Sequence, residues 1–118
     1  MPKILVVDDA QFMRMKCRTL LKQAGYDVVE AGDGEQAVEM YKTESPDAVL
    51  LDVTMPKMDG LQALEEIIKI DPEARVAMLT ATGQQAVVKE AIAAGARDFV
   101  VKPFDDARVL QAVENLLE

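Results

Sequence analysis

The side chains best suited to chemistry in this sequence are three aspartates, a threonine and a lysine, and they follow short apolar runs. They are Asp8, Asp9, Asp52, Thr80 and Lys102. Three carboxylates held close together repel one another, so a cation would stabilise them. Mg²⁺ binds one or two carboxylates while keeping waters and phosphate oxygens as further ligands. A hydroxyl and an ammonium group beside that metal would suit a phosphoryl group carried by a carboxylate.

Each of the three aspartates also has a simpler explanation. Aspartate is common after strands because it caps helices and forms turns. For Asp8, Asp9 or Asp52 taken alone, capping is the better interpretation. Since all of these residues stand together with Thr80 and Lys102 at the ends of apolar runs, the pattern favours a shared site.

The apolar runs predict strands of a parallel sheet. They are continuous rather than alternating, which is typical of strands covered on both faces. The segments between them have the apolar spacing of helices, and Gly25, Pro46, Pro72 and Gly95 stand where those helices would end. The runs are residues 4–7, 27–29, 48–51, 76–79 and 99–101.

Five strands alternating with five helices predict a doubly wound α/β fold, a parallel sheet with helices on both faces. In such sheets ligands bind beyond the carboxyl ends of the strands, where the strand order reverses. Because the loops are short, we expect residues 1–118 to form one domain without a linker or an output domain.

The composition narrows the classes of function. The 118 residues include 21 Asp and Glu against 13 Lys and Arg, a formal net charge of −8, which argues against nucleic acid or a membrane as the main partner. The absence of histidine excludes His-based catalysis, His-bound zinc and a phosphohistidine of the chain's own.

The single cysteine, Cys17, excludes an internal disulfide and fits an inert core position. Since no signal peptide or membrane-spanning run is present, we expect a cytoplasmic protein. We also expect it to be a monomer.

A glycine-rich segment at residues 32–37 matches the dinucleotide-binding fingerprint. Asp33 and Glu35 would repel a pyrophosphate, and the segment follows the second strand rather than the first. We therefore interpret it as a turn in which Asp33 begins the second helix.

The residues at the strand ends resemble the motif of the response-regulator receiver domain family. The resemblance covers the whole chain and implies a flavodoxin-like (βα)5 fold with strand order 2-1-3-4-5. It is carried by Asp8-Asp9 after the first run, Asp52 after the third, Thr80-Ala81 after the fourth and Lys102-Pro103 after the fifth.

The resemblance implies a phosphoacceptor and a metal site. Asp52 would accept a phosphoryl group from the phosphohistidine of a partner histidine kinase. Asp9 and Asp52, with the backbone carbonyl of Thr54, would hold Mg²⁺, for which Mn²⁺ could substitute. Asp8 would assist through water.

The resemblance also implies residues that bind and respond to the phosphoryl group. Thr80, Ala81 and Lys102 would contact it, and Lys102-Pro103 resembles the cis peptide bond of the family. Phe99 stands at the position of an aromatic switch residue, with a buried core aromatic as an equal alternative. Thr54 and Thr82 stand where the family tunes hydrolysis of the phosphate.

The expected output is contact with a target protein, through about residues 84–94, 99–102 and 107–117. Residues 8–15 and 82–86 resemble the chemotaxis group of the family, which implies the flagellar motor switch as target and a phosphatase as a further partner. The alternatives are a phosphorelay intermediate that serves a histidine phosphotransfer protein, a partner for a cyclase or kinase, a Mg²⁺-dependent phosphatase with Asp52 as nucleophile, and a structural domain that binds no Mg²⁺.

Overall fold

The computed structural model of the chain describes residues 1–55, 58–81 and 85–118. In these ranges five strands alternate with five helices. They are β1 (Lys3–Val7), α1 (Gln11–Gln23), β2 (Asp27–Ala31), α2 (Gly34–Glu44), β3 (Ala48–Asp52), α3 (Gly60–Ile70), β4 (Val76–Ala81), α4 (Gln85–Ala94), β5 (Asp98–Lys102) and α5 (Asp106–Leu117). Within the same ranges, no helix combines the length and the apolar character that a membrane span requires.

The strands form one parallel sheet in the order β2-β1-β3-β4-β5. The central pair is β1 and β3, in which Val7 lies opposite Leu51. The strand order reverses between β1 and β3, because β2 lies on one side of this pair and β4 and β5 lie on the other. The expected ligand-binding crevice therefore lies beyond the carboxyl ends of β1 and β3. The predicted doubly wound fold and its strand order are confirmed.

The continuous apolar runs are explained by burial of both faces of the sheet. On one face, side chains such as Leu5 and Leu51 pack with α2, α3 and α4. On the other face, side chains such as Ile4 and Leu50 pack with α1 and α5. Every residue of β3 is buried, so the strand that ends in Asp52 is fixed from both sides.

The helix ends agree with the turn residues of the sequence. Gly25 and Gly95 have φ values of +97° and +122°, which favour glycine because it lacks a Cβ. Asp33 begins α2 by accepting a hydrogen bond from the backbone of Gln36 at 2.8 Å, as predicted.

Helix α1 buries only part of its apolar stripe. Cys17 and Leu21 are buried, but Met13 is only half-buried and Ala24 is exposed. Ala24 is exposed because it forms the end of the helix, where the backbone turns away toward Gly25. Burial raises the pKa of the Cys17 thiol to about 11, which fits an inert core thiol.

Candidate functional site

Residues from three strands meet beyond the carboxyl end of the sheet. Asp8 follows β1 directly and is 1% exposed, while Asp52 ends β3 and is 6% exposed. Lys102 ends β5, at the edge of the sheet, and its side chain reaches both carboxylates. Its Nζ lies 3.0 Å from Asp8 Oδ2 and 3.3 Å from Asp52 Oδ1.

The three aspartates form a cluster that could hold a metal ion. Asp8, Asp9 and Asp52 each offer a carboxylate oxygen, and these oxygens all lie within 4.8 Å of one another. Asp8 and Asp52 are buried, whereas Asp9 is exposed and lies on the solvent side of the cluster. Oxygen ligands with one side open to water fit Mg²⁺, which retains part of its hydration shell.

The surroundings of Asp52 make ionisation of its carboxyl group less favourable than in water. Burial, together with the charge of Asp8, raises the pKa of Asp52 to about 6, although Lys102 and a backbone hydrogen bond of Thr54 oppose this rise. Burial alone would lower the pKa of Lys102, but its contacts with Asp8 and Asp52 raise it overall. Lys102 therefore stays protonated and compensates part of the negative charge.

The carboxylate of Asp8 is held at both oxygens. Oδ1 accepts a hydrogen bond from the backbone N–H of Ala10 at 2.9 Å, and Oδ2 accepts one from Lys102. The first bond orders the loop between β1 and α1, and the second links that loop to β5. Asp8 thus stabilises the position of the neighbouring Asp9 as well as contributing its own charge.

The start of α3 packs directly against the strand that carries Asp52. The N–H of Gly60 donates to the carbonyl oxygen of Val53 at 2.8 Å. A Cβ on Gly60 would overlap the carbonyl oxygen of Asp52. Asp59 caps the helix by a reciprocal pair of hydrogen bonds with Gln62. This close approach requires glycine and fixes the backbone at the phosphoacceptor candidate.

The remaining predicted contacts for a phosphoryl group lie at the same end of the sheet. Thr80 is buried in β4, and Ala81 is the exposed last residue of that strand, opposite Lys102 in β5. Thr54 is exposed two residues after Asp52. Thr82 lies outside the described residues, as does Gln84 of the predicted output surface.

Phe99 is not the buried core aromatic that the sequence left open as an alternative. Its side chain is 40% exposed on the edge strand, and Val100 takes the buried position of β5 instead. Val101 and Ile92 are also exposed, at 43% and 44%. Exposed apolar side chains therefore lie on both α4 and β5. The Lys102-Pro103 peptide bond is cis, as predicted.

The backbone of Phe99 is enclosed by a pair of charged side chains. Its N–H donates to the carboxylate of Asp98 at 2.8 Å, and its carbonyl accepts from Arg108 at 2.6 Å. Asp98 and Arg108 are themselves 3.3 Å apart. These contacts give hydrogen-bond partners to both the backbone N–H and the backbone carbonyl of Phe99 at the edge of the sheet.

Sequence reasoning missed Arg14, which contacts the loop of the candidate site. Its NH1 donates to the carbonyl oxygen of Asp8 at 2.7 Å, and its Nε donates to Glu30 at 3.2 Å. Two signals were available in the sequence. Glu30 is an acidic residue directly after the second apolar run, and Arg14 lies one turn into the helix that follows Asp8 and Asp9.

Comparison with known proteins agrees with this geometry. Residues 4–114 match the family model of the response regulator receiver domain. The chemotaxis protein CheY of Bacillus subtilis is 55% identical over 116 residues, which cover 98% of this chain and 97% of that protein. The chemotaxis protein CheY of Thermotoga maritima is 51% identical over 115 residues, covering 97% and 96%.

A solved structure extends the agreement to three dimensions. A chain in the crystal structure of the CheX–CheY–BeF3–Mg²⁺ complex from Borrelia burgdorferi is similar to this chain with a TM-score of 0.93 and 40% identity, covering 98% of this chain and 89% of that one. Fold, cluster geometry and sequence thus agree, and the chain belongs to the response regulator receiver domain family.

Proposed function

We propose that this chain is a phosphorylation-controlled signalling switch in which Asp52 accepts a phosphoryl group from a partner histidine kinase in the presence of Mg²⁺. The observation that carries the proposal is that Lys102 bridges the two buried aspartates, with its Nζ 3.0 Å from Asp8 Oδ2 and 3.3 Å from Asp52 Oδ1. Receiver domains of the CheY type are signalling modules rather than conventional enzymes.

The residues around Asp52 have complementary roles in this transfer. An oxygen of the Asp52 carboxylate forms the new bond to phosphorus as the P–N bond to the donor histidine breaks, and the leaving imidazole keeps the electron pair of that bond. Lys102 compensates negative charge on the transferred group, and Thr80 and Ala81 lie at the neighbouring strand end to contact it. Such preorganised charges stabilise a phosphoryl group in transfer.

Asp9 and Asp52, with the Thr54 carbonyl, would hold the metal, and Asp8 would assist through water. The chemistry of the donor set fits Mg²⁺, because every proposed ligand is an oxygen and one carboxylate is exposed. When bound, the metal neutralises negative charge on the phosphoryl oxygens. Mn²⁺, which accepts the same oxygen ligands, is expected to substitute.

The proposed output is a change in the surface formed by α4, β5 and α5. Ile92, Phe99 and Val101 make this surface partly apolar, which suits contact with a protein. The similarity to chemotaxis proteins supports the flagellar motor switch as the target. The complex from Borrelia burgdorferi supports a second partner of the CheX type.

Intact-mass measurement after incubation with acetyl phosphate and Mg²⁺ tests the phosphoacceptor. We expect one phosphoryl adduct in the wild-type chain and none in Asp52→Asn. The matched control is Asp47→Asn, since Asp47 is an exposed carboxylate outside the cluster. An adduct retained in Asp52→Asn would show that the assignment is wrong.

The same incubation separates a switch from an enzyme. A switch takes up about one equivalent of phosphoryl group and then releases phosphate only as the adduct hydrolyses. Sustained phosphate release at a rate typical of enzymes, ~1 s⁻¹ or faster, would favour the Mg²⁺-dependent phosphatase instead.

A further inference from the structure

Arg14 joins the loop of the candidate metal site to the edge strand β2. Its NH1 donates to the main-chain carbonyl of Asp8 at 2.7 Å, and its Nε lies 3.2 Å from Glu30 Oε1. The Arg14 side chain is only 19% exposed and that of Glu30 is 26% exposed. Charge-assisted hydrogen bonds in such partly buried places are stronger than those on an open surface.

The guanidinium group has little room to move. A Cβ on Gly32 would lie 3.2 Å from Arg14 NH1, so the group lies close to the backbone of the turn after β2. Arg18 binds the second carboxylate oxygen of Glu30 at 3.0 Å. Glu30 therefore contacts two arginines. Of these two, Arg14 is the one that also binds the carbonyl oxygen of Asp8.

The carbonyl that Arg14 binds belongs to the peptide unit between Asp8 and Asp9. Fixing this carbonyl restrains the plane of that peptide, which contains the Cα of Asp9, and so restricts the point from which the Asp9 side chain leaves the backbone. The Asp8 carboxylate is already held by Ala10 and Lys102. Arg14 therefore supplies a side-chain restraint on the backbone that leads into Asp9, whose carboxylate is exposed.

We infer that Arg14 is a positioning residue for the metal site, and that it holds the Asp8-Asp9 peptide so that the Asp9 carboxylate meets Asp8 and Asp52. This inference rests on the proposed function, because it assigns Arg14 to the same Mg²⁺ site. Arg14 acts through the backbone of Asp8 and binds neither the metal nor the phosphoryl group.

The charge of Arg14 and its proposed positioning role predict opposite changes in Mg²⁺ affinity when Arg14 is removed. As a nearby positive charge, Arg14 would weaken cation binding, so its removal would tighten it. As a positioning residue, it improves the ligand geometry, so its removal should weaken Mg²⁺ binding about 10-fold, the low end of the effects measured for residues that orient metal ligands. The sign of the change therefore separates the two roles.

The test titrates Mg²⁺ by isothermal calorimetry into the wild-type chain, Arg14→Gln, Arg14→Lys and Arg18→Gln. We expect a Kd about 10-fold higher in Arg14→Gln. Arg14→Lys should also bind more weakly, since one ammonium group on a different stem cannot repeat the planar fork of Arg14. Arg18→Gln removes a neighbouring ion pair with Glu30 and should keep the wild-type Kd.

Hydrogen exchange in metal-free protein gives a second readout. The amide of Ala10, which donates to Asp8, should exchange faster in both Arg14 variants and at the wild-type rate in Arg18→Gln. An unchanged or lower Kd in both Arg14 variants overturns the inference. If the wild-type chain itself binds no Mg²⁺, the proposed function fails, and the inference with it.

Discussion

The ionised carboxylate of Asp52 is unfavourable in the metal-free protein, because the fold buries it beside Asp8. A phosphoacceptor must nevertheless be reachable and must react as the carboxylate. A pKa raised to about 6 leaves Asp52 mostly ionised near neutral pH. The folded state nevertheless binds the proton of Asp52 more tightly than the unfolded chain does. Reactivity and stability therefore make opposite demands on this residue.

The raised pKa predicts a pH-dependent gain in stability for Asp52→Asn. The protonated form is stabilised by folding, so the contribution of Asp52 is favourable at low pH and is lost as the pH rises from about 4 through about 6. In metal-free protein at about pH 7.5, Asp52→Asn should raise the free energy of unfolding by about 1–3 kcal/mol. Urea unfolding at about pH 7.5 and about pH 5 measures this gain, which should shrink at the lower pH. An equal gain at both values would contradict the raised pKa.

Gly60 is expected to tolerate no side chain. Because a Cβ would overlap the carbonyl of Asp52, Gly60→Ala should lower stability by about 1–3 kcal/mol and slow phosphorylation of Asp52. Gly25→Ala is the matched control, since Gly25 has a positive φ but no atom within 4 Å of an added Cβ. The control should lose stability and keep the wild-type yield of phosphoryl adduct. Normal phosphorylation in Gly60→Ala would contradict the prediction that the close approach of α3 positions Asp52.

At the level of elements, the sequence was sufficient where burial alone decides the structure. Strands covered on both faces show as apolar runs, and polar residues such as Asp52 and Lys102 appear where the cover ends. Periodicity could not decide the exposure of Phe99, because this depends on β5 being an edge strand. Nor could it reveal the contact of Arg14 with Asp8, because that contact needs the packing of α1 against β2.

The contacts of Asp98 and Arg108 with the backbone of Phe99 are expected to protect this part of β5 from hydrogen exchange. Arg108→Gln removes a charged donor from the Phe99 carbonyl and should weaken the edge by about 0.5–1.5 kcal/mol. Hydrogen exchange at the amide of Phe99 should then become faster. Arg97→Gln is the control, because Arg97 donates to the carbonyl of Glu73 away from this edge. Unchanged exchange in Arg108→Gln would show that the pair does not order the strand.

For the whole molecule, Mg²⁺ should act as a ligand of the folded state and raise the melting temperature. At a concentration of about 100 times Kd the stabilisation is about 2.7 kcal/mol. Since the net charge is −8, any cation would also screen repulsion, and a potassium salt of equal ionic strength controls for this. Asp9→Asn should lose the Mg²⁺-specific part of the shift. The same shift in Asp9→Asn would place the bound cation elsewhere on the chain.

The proposed function gives strand β5 two roles within its five residues. Lys102, at its end, contacts the carboxylates, and Phe99, three residues earlier, faces outward with Val101. The two positions are separated by about 10 Å of extended backbone, at ~3.3 Å per residue. If the proposed function holds, the phosphoryl site and the target surface are neighbours on a single strand, and a partner docked against Phe99 would respond to the charge at Asp52 without any movement of the sheet's central strands.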